Sequence, residues 1–416
     1  MTRYSQKRIL IYSHDAYGLG NIRRMLSICD QITKSNPNTS IMLLTGSPMI
    51  HSMRIPQNVD YVKLPCITRE STEKFSATYW RNIDVDKMIR IRSDLILSAV
   101  RSFRPDLIIV DKKPLGVKRE LLPTLRFVRN QLPRTKLVLG LRDILDDPKV
   151  TVPIWQSHDY YRMIEKYYDQ VWIFGSPELF DAAEAYQMPE GVLRKVIYTG
   201  YLFKPALLEK NQIVDDLFPD MTKPMALIMV GGGGDGFPVI SAYINGIKNG
   251  QQNSAYNSLI VTGPEMPAVR REWIQKATAT MNNIQVLEYT KNIENYIAAA
   301  DAVVCMGGYN TTCEVLAYGK KALIIPRVEP VSEQLIRARQ LQHLGIVEML
   351  HPADLTPESI IDAVERTFNR PENNNKLAHR LNLNGLQNIG KMTREMLYPN
   401  RYTIKPFRCE MNGIYA

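Results

Sequence analysis

The sequence predicts an α/β protein built from two doubly wound domains, and three observations carry that expectation. Short apolar runs alternate with amphipathic helix-like stretches along the whole chain. Strands of this kind alternating with helices indicate βαβ units and parallel sheets covered on both faces. The pattern also restarts behind a glycine-rich turn in each half: Gly18-Leu19-Gly20 after the first apolar run, and Gly231-Gly232-Gly233-Gly234-Asp235-Gly236 after a later one. Finally, 416 residues are enough for two or three domains at roughly 100–200 residues each.

In the first half the strand candidates are Ile9–Tyr12, Ile41–Thr45, Tyr61–Leu64, Leu107–Val110, Leu137–Leu141 and Val171–Phe174, with amphipathic stretches Ile22–Thr33 and Met88–Phe103 between them. In the second half they are Ala226–Val230, Ser258–Thr262, Ile284–Leu287, Ala302–Met306 and Ala322–Ile325, separated by helical stretches such as Pro267–Ala279 and Glu333–Leu344. Val196–Thr199 ends at Gly200, and a Pro-punctuated polar stretch follows, so the seam is placed near 200–222. The expected domains are 1–203, 204–395 and a tail or strap at 396–416. No low-complexity segment or short-period repeat is present.

The composition, 45% hydrophobic and 23% charged, excludes collagen and a disordered chain. No run of about 18 apolar residues occurs, so no membrane-spanning helix is expected. Met1–Arg8 is polar and leads straight into a strand, unlike a signal peptide. The five cysteines (Cys29, Cys66, Cys305, Cys313, Cys409) form no CxxC pair, which argues against a zinc knuckle or a disulfide framework and for a reduced, cytoplasmic setting. The net charge of +10 is concentrated in residues 1–200, where 30 Lys and Arg face 21 Asp and Glu. Such a half either meets an anionic partner or is simply a solvated basic face.

In open parallel sheets ligands bind beyond the carboxyl ends of the strands, and three such places stand out in the second half. The Gly231–Gly236 turn lets a backbone approach an anion closely if a helix follows, and otherwise is a tight turn. Lacking a following Lys-Ser/Thr, it is not a Walker A loop. Next comes Met306-Gly307-Gly308-Tyr309-Asn310-Thr311-Thr312-Cys313-Glu314. Amides and hydroxyls at Gly308, Thr311 and Thr312 suit a diphosphate, and Glu314, one turn on, suits the cis-diol of a ribose. The competing reading is a capping box of Thr311 with Glu314. Third, Glu333 and Gln334 follow an extended Pro-containing loop, where they either grip sugar hydroxyls or belong to a helix capped by Ser332.

Together these residues carry a resemblance. The stretch GGYNTTCEVLAYGKKALIIPRVEPVSEQLIRARQLQHLGI is similar to the C-terminal nucleotide-sugar segment of family 28 glycosyltransferases, which include the N-acetylglucosaminyltransferase of lipid II synthesis. The resemblance implies the GT-B fold, two Rossmann-like domains facing a cleft, with a nucleotide sugar on the second and an acceptor on the first. It implies that Glu314 holds the ribose, that Gln334 and Glu333 hold the donor sugar, and that Gly232, Gly233, Gly234 and the amides near Thr311 face the diphosphate. The Gly200–Lys204 turn resembles the family's Gly-Asn-Pro-x-Arg turn, making Lys204 a phosphate cation without bidentate geometry. Thr290, in Tyr289-Thr290-Lys291, falls where relatives contact the base; uracil is implied by the family alone.

The first-half loop Ser13-His14-Asp15-Ala16-Tyr17-Gly18-Leu19-Gly20-Asn21-Ile22-Arg23-Arg24 resembles the acceptor loop of these transferases, most closely a bacterial group reading SHD-x-x-GLGH-x-x-R. Asn21 replaces the histidine, and an amide takes no proton at neutral pH. Inverting transfer needs a base and a stabiliser of the departing diphosphate. An unperturbed imidazole titrates near neutrality, so His14 is the first candidate base, with Asp15 or Asp143 next. Capping and orienting the loop is the alternative role for His14 and Asp15. Gly18, Gly20, Asn21, Arg24, Asp111 and Arg142 are the expected acceptor contacts, with Arg23, Lys112 and Lys113 as further cations for an anionic or lipid-linked acceptor.

The expectation is therefore a metal-independent inverting glycosyltransferase using a UDP-sugar. It needs no cofactor, since no DxD motif occurs, and no nucleic acid, since aromatics are not interleaved with Lys and Arg. It is cytoplasmic, with peripheral contact to the inner membrane face open. A non-catalytic nucleotide-sugar-binding subunit is the alternative, kept alive by Asn21. A UDP-sugar 2-epimerase ranks below it because no DSGG-type stretch is present.

Overall fold

Side chains alternate across a strand, and the first strand shows what this achieves: Ile9 and Ile11 bury into one apolar cluster while Leu10 and Tyr12 bury into another on the opposite face. The structure, a computed structural model, describes residues 6–14, 20–69, 75–80, 82–203, 217–220, 222–250, 255–290, 292–371 and 381–399.

The first lobe is a parallel sheet of order β3-β2-β1-β6-β7-β8-β9. Its strands are β1 (Lys7–Ser13), β2 (Thr39–Thr45), β3 (Val59–Lys63), β6 (Leu107–Asp111), β7 (Lys136–Arg142), β8 (Gln170–Phe174) and β9 (Val196–Tyr198). An antiparallel hairpin, β4 (Ile67–Arg69) with β5 (Phe75–Ala77), is inserted before the long helix. The helices are α1 (Gly20–Ser35), α2 (Val85–Phe103), α3 (Leu122–Gln131), α4 (Pro148–Ser157), α5 (Tyr160–Tyr167), α6 (Ala182–Ala185) and α7 (Glu190–Leu193).

The second lobe repeats the scheme in the order β12-β11-β10-β13-β14-β15, again parallel. It runs β10 (Met225–Met229), α8 (Phe237–Asn249), β11 (Asn257–Val261), α9 (Ala268–Thr278), β12 (Ile284–Leu287), α10 (Ile293–Ala299), β13 (Ala302–Cys305), α11 (Tyr309–Ala317), β14 (Lys321–Ile324), α12 (Glu333–His343), β15 (Glu348–Met349) and α13 (Pro357–Phe368). β6, β10 and β13 are buried at every position, as strands covered by helices on both faces must be. In both sheets the strand order reverses beside the first strand, at β1/β6 and at β10/β13. These are the switch points where doubly wound sheets bind ligands.

The last described helix, α14 (Gly385–Leu397), leaves the second lobe and packs on α1 of the first. Gly390 allows the approach, since a Cβ there would stand 2.4 Å from Ser35 Oγ. Asn36 donates to the Gly390 carbonyl at 3.3 Å, and Asn388 donates to the Thr199 carbonyl at 2.8 Å. The expected boundary at 396 therefore falls inside this returning helix, and 400–416 lie outside the described residues. Among the described residues, no helix is long and apolar enough to cross a membrane.

Candidate active site

The two switch points face each other across a cleft of 260 Å³ lined from both lobes. The first lobe supplies Gly20, Asn21, Arg23 and Arg24 at the start of α1, and Arg142 at the end of β7. The second supplies the glycine turn after β10, Gly263–Glu265, Tyr289–Thr290 and the first turns of α11 and α12.

The glycine turn is shaped by contacts that no side chain would permit. Gly233 has φ +93, and a Cβ there would lie 2.1 Å from the Thr262 carbonyl oxygen. Gly263, φ +85, abuts Gly231 and Gly232 in the same way, and Glu265 N–H donates to the Gly232 carbonyl at 2.7 Å. Gly231, φ +65, has nothing within 4 Å of its Cβ position, so its open side is the cleft. None of α8, α11 and α12 has a side-chain cap hydrogen bond. Their first-turn amides thus keep donors and a positive dipole end for an anion. This decides against the capping reading: Gly308 is the N-cap of α11, Thr311 lies inside the first turn, and Ser332 makes no cap bond.

Of the expected donor residues, Gly232, Gly233, Gly234, Thr290, Gly308, Thr311, Glu333 and Gln334 line the cleft together. Thr312 and Glu314 lie deeper in α11. Thr312 Oγ1 and Glu314 Oε2 are buried with no partner among the described residues. Burial raises the Glu314 carboxyl from 4.5 to about 7, against the lowering influence of Arg23, and Glu294 adds to the rise. Its Oε1 stands 3.5 Å from the guanidinium of Arg23 on the opposite lobe. Burial would also raise Glu333, but Arg142, at 2.5 Å, and then Arg337 and Lys112 hold it below the ordinary range. Gln334 Oε1 accepts from Arg327 N–H at 3.0 Å. Half-buried Glu265 is pushed up by burial and by Asp235. Lys204 lies outside the described residues.

On the first-lobe side, Asn21 is a connector. Its Nδ2 donates to the His14 carbonyl at 2.5 Å, and its Oδ1 accepts from Arg24 at 3.0 Å. Arg24, buried, also donates to Asp111 at 2.9 Å; Asp111 Oδ2 is buried without a partner among the described residues. His14 is 3% exposed at the end of β1, and it does not line the cleft. Gly20 accepts at its carbonyl from Asn310 at 3.2 Å, joining the starts of α1 and α11. Asp15 and Gly18 lie outside the described residues.

Asp143, expected as an alternative base, has a different position. Both its oxygens accept from fully buried Arg337, at 2.9 and 2.8 Å, and Arg337 also donates to the Gly307 carbonyl at 2.9 Å. Both oxygens are thus committed to one guanidinium, and Asp143 does not line the cleft. Its role is to bolt the lobes together, helped by Ser332 N–H donating to Asp146 at 2.9 Å. Tyr309, buried between Arg24 and Arg337 with each cation 5.8 Å from the ring centre, completes the contact. The pairings of Asp143 with Arg337, Asp146 with Ser332 and Arg24 with Tyr309 have no local signature, because each joins positions on different lobes. Glu265 was also missed; its place after β11 was the available signal.

Comparison with known proteins agrees with this fold. Residues 227–392 match the glycosyltransferase family 28 C-terminal domain. An uncharacterized glycosyltransferase of Methanosarcina mazei is 25% identical over 307 residues, covering 73% of this chain and 75% of the relative. The UDP-N-acetylglucosamine--N-acetylmuramyl-(pentapeptide) pyrophosphoryl-undecaprenol N-acetylglucosamine transferase of Alkaliphilus oremlandii is 22% identical over 346 residues, 82% of this chain and 84% of its own. In fold, the chain is similar to the crystal structure of Acinetobacter baumannii MurG, with a TM-score of 0.60, 14% identity, and coverage of 94% and 99%. Over residues 227–392 the chain is thus similar to the family 28 C-terminal domain, and it is a glycosyltransferase of the GT-B fold.

Proposed function

We propose that this glycosyltransferase moves a sugar, with inversion, from a UDP-sugar bound on the second lobe to an acceptor hydroxyl presented by the first. The observation that carries the reading is the buried Glu314 carboxylate, one oxygen of which has no partner among the described residues, set one turn behind the uncapped start of α11. A ribose cis-diol donates two hydrogen bonds to such a group, and the adjoining diphosphate then meets the amides of α11 and of the glycine turn. Gln334 and Glu333 are assigned to the sugar, and the exposed Tyr289 with Thr290 to the base. The neutralising charge on the leaving diphosphate comes from helix N-termini and side-chain cations, so the reading invokes no metal.

The acceptor's proton is assigned to His14, which does not itself line the cleft but is hydrogen-bonded through its carbonyl to the cleft-lining Asn21. Asp143 is bound to Arg337, and Asn21 has no basic atom. The basic first half favours an anionic acceptor, and the Alkaliphilus relative's own acceptor, by its name, is undecaprenol-linked through a pyrophosphoryl group. A lipid-linked acceptor and peripheral membrane contact at the cytoplasmic face follow as part of the same proposal. The test is release of UDP from UDP-N-acetylglucosamine and UDP-glucose, with and without polyprenyl-diphosphate acceptors. Acceptor-dependent release is expected, falling about 100-fold or more in H14A, the usual scale of a lost general base. Release of no nucleotide from any UDP-sugar, or full activity in H14A, would overturn the donor or the base assignment respectively.

A further inference from the structure

Four arginines line the cleft among the described residues, and they are not equally committed. Arg24 is buried and donates to Asp111 and Asn21. Arg142 is 2.5 Å from Glu333, with both side chains largely buried. Arg327 pairs with Asp235 at 3.4 Å, and drawing it away would leave a bare carboxylate beside any bound phosphate. Arg23 is different. Its side chain is 42% exposed, and its 3.5 Å approach to Glu314 is an ion pair too long for a good hydrogen bond.

We propose that Arg23, contributed by the acceptor lobe, is a ligand of the donor's diphosphate: it rests on Glu314 in the empty protein and passes to the diphosphate when the ribose hydroxyls take that carboxylate. This deepens the function proposed above and rests on it. The exchange leaves no charge stranded. Glu314 gains two hydroxyl donors in place of a distant cation, and the guanidinium gains an anion it can meet bidentately. Arg23 lines the same cleft as the Gly231–Gly234 turn and Thr311, so the amides and the guanidinium approach one ligand from opposite lobes. Arg23 is then a positioning residue with an electrostatic part in departure: as the sugar leaves, the diphosphate gains negative charge, which a cation from the acceptor lobe stabilises.

The test is calorimetric titration of UDP, and of uridine in competition with it, against wild type, R23K and R23M. Because Arg23 is exposed, both variants are expected to fold, and an unchanged melting temperature checks this. R23M is expected to bind UDP about 10- to 100-fold more weakly, with uridine affinity unchanged or improved and R23K between. UDP affinity in R23M equal to wild type, or equal proportional losses for UDP and uridine, would overturn the proposal, since Arg23 would then act only as a partner of Glu314. Wild-type protein that binds uridine nucleotides not at all would overturn the donor assignment itself, so the two failures are separable.

Discussion

Glu314 holds its proton unusually tightly for a carboxylic acid, because burial outweighs the attraction of Arg23 and is reinforced by Glu294. A ribose is best held by the ionised form. Affinity for a UDP-sugar, whose diphosphate diester does not titrate here, is therefore expected to rise as pH increases through about 7. In E314Q the affinity should be lower and flat with pH; a titration series from pH 6 to about pH 8 checks both. Stability has the opposite slope. A folded-state pKa above the unfolded value means that the native state holds the extra proton, so this contribution is present at acid pH and is lost as pH rises through about 7. The residue type and place of Glu314 were legible, because a carboxylate one turn past a glycine-ended strand is a local pattern. The commitment of Asp143 was not. Its partner Arg337 is 194 residues away, and nothing local in Arg142-Asp143-Ile144 distinguishes a base from a bolt.

At the scale of elements, the glycine turns do two separate jobs, and single substitutions separate them. Gly233→Ala puts a Cβ 2.1 Å from the Thr262 carbonyl in a left-handed conformation, so the turn itself must move. Gly231→Ala meets no protein atom within 4 Å. It carries only the left-handed penalty of about 1–2 kcal/mol, and its methyl enters the cleft. G233A is thus expected to lower the melting temperature clearly more than G231A, while both lose UDP affinity. Equal melting with retained binding in G231A would show that this turn does not face the ligand. The strands and helices flanking these turns were legible from apolar runs and glycine punctuation, each within a few residues. The β4–β5 hairpin and the short helices α6 and α7 were not, since three- and four-residue elements are too short for a periodic signal. The uncapped start of α11 needed the structure too: Thr311 and Glu314 have the spacing of a capping box, and only the position of Gly308 as N-cap excludes it.

For the whole molecule, the central fact is that the lobes meet through polar groups of the site itself. Arg337 with Asp143 is a buried pair, and losing one partner of such a pair typically costs about 3–5 kcal/mol. Arg142 with Glu333 and Arg23 with Glu314 span the same gap beside the glycine turns. Two doubly wound lobes were readable from the restart of the strand pattern. The return of α14 onto α1 was not, because it depends on Gly390 meeting Ser35 across more than the length of a domain. All of this converges on one claim: the interlobe cleft holds a nucleoside diphosphate with its ribose on Glu314. Calorimetric titration of UDP and 2′,3′-dideoxy-UDP against wild type and E314Q tests it most directly. Wild type should prefer UDP by about 10-fold or more, as expected for two hydrogen bonds to a charged group, and E314Q should lose that preference. Equal affinity of the wild type for both nucleotides, or a preference undiminished in E314Q, would contradict the account.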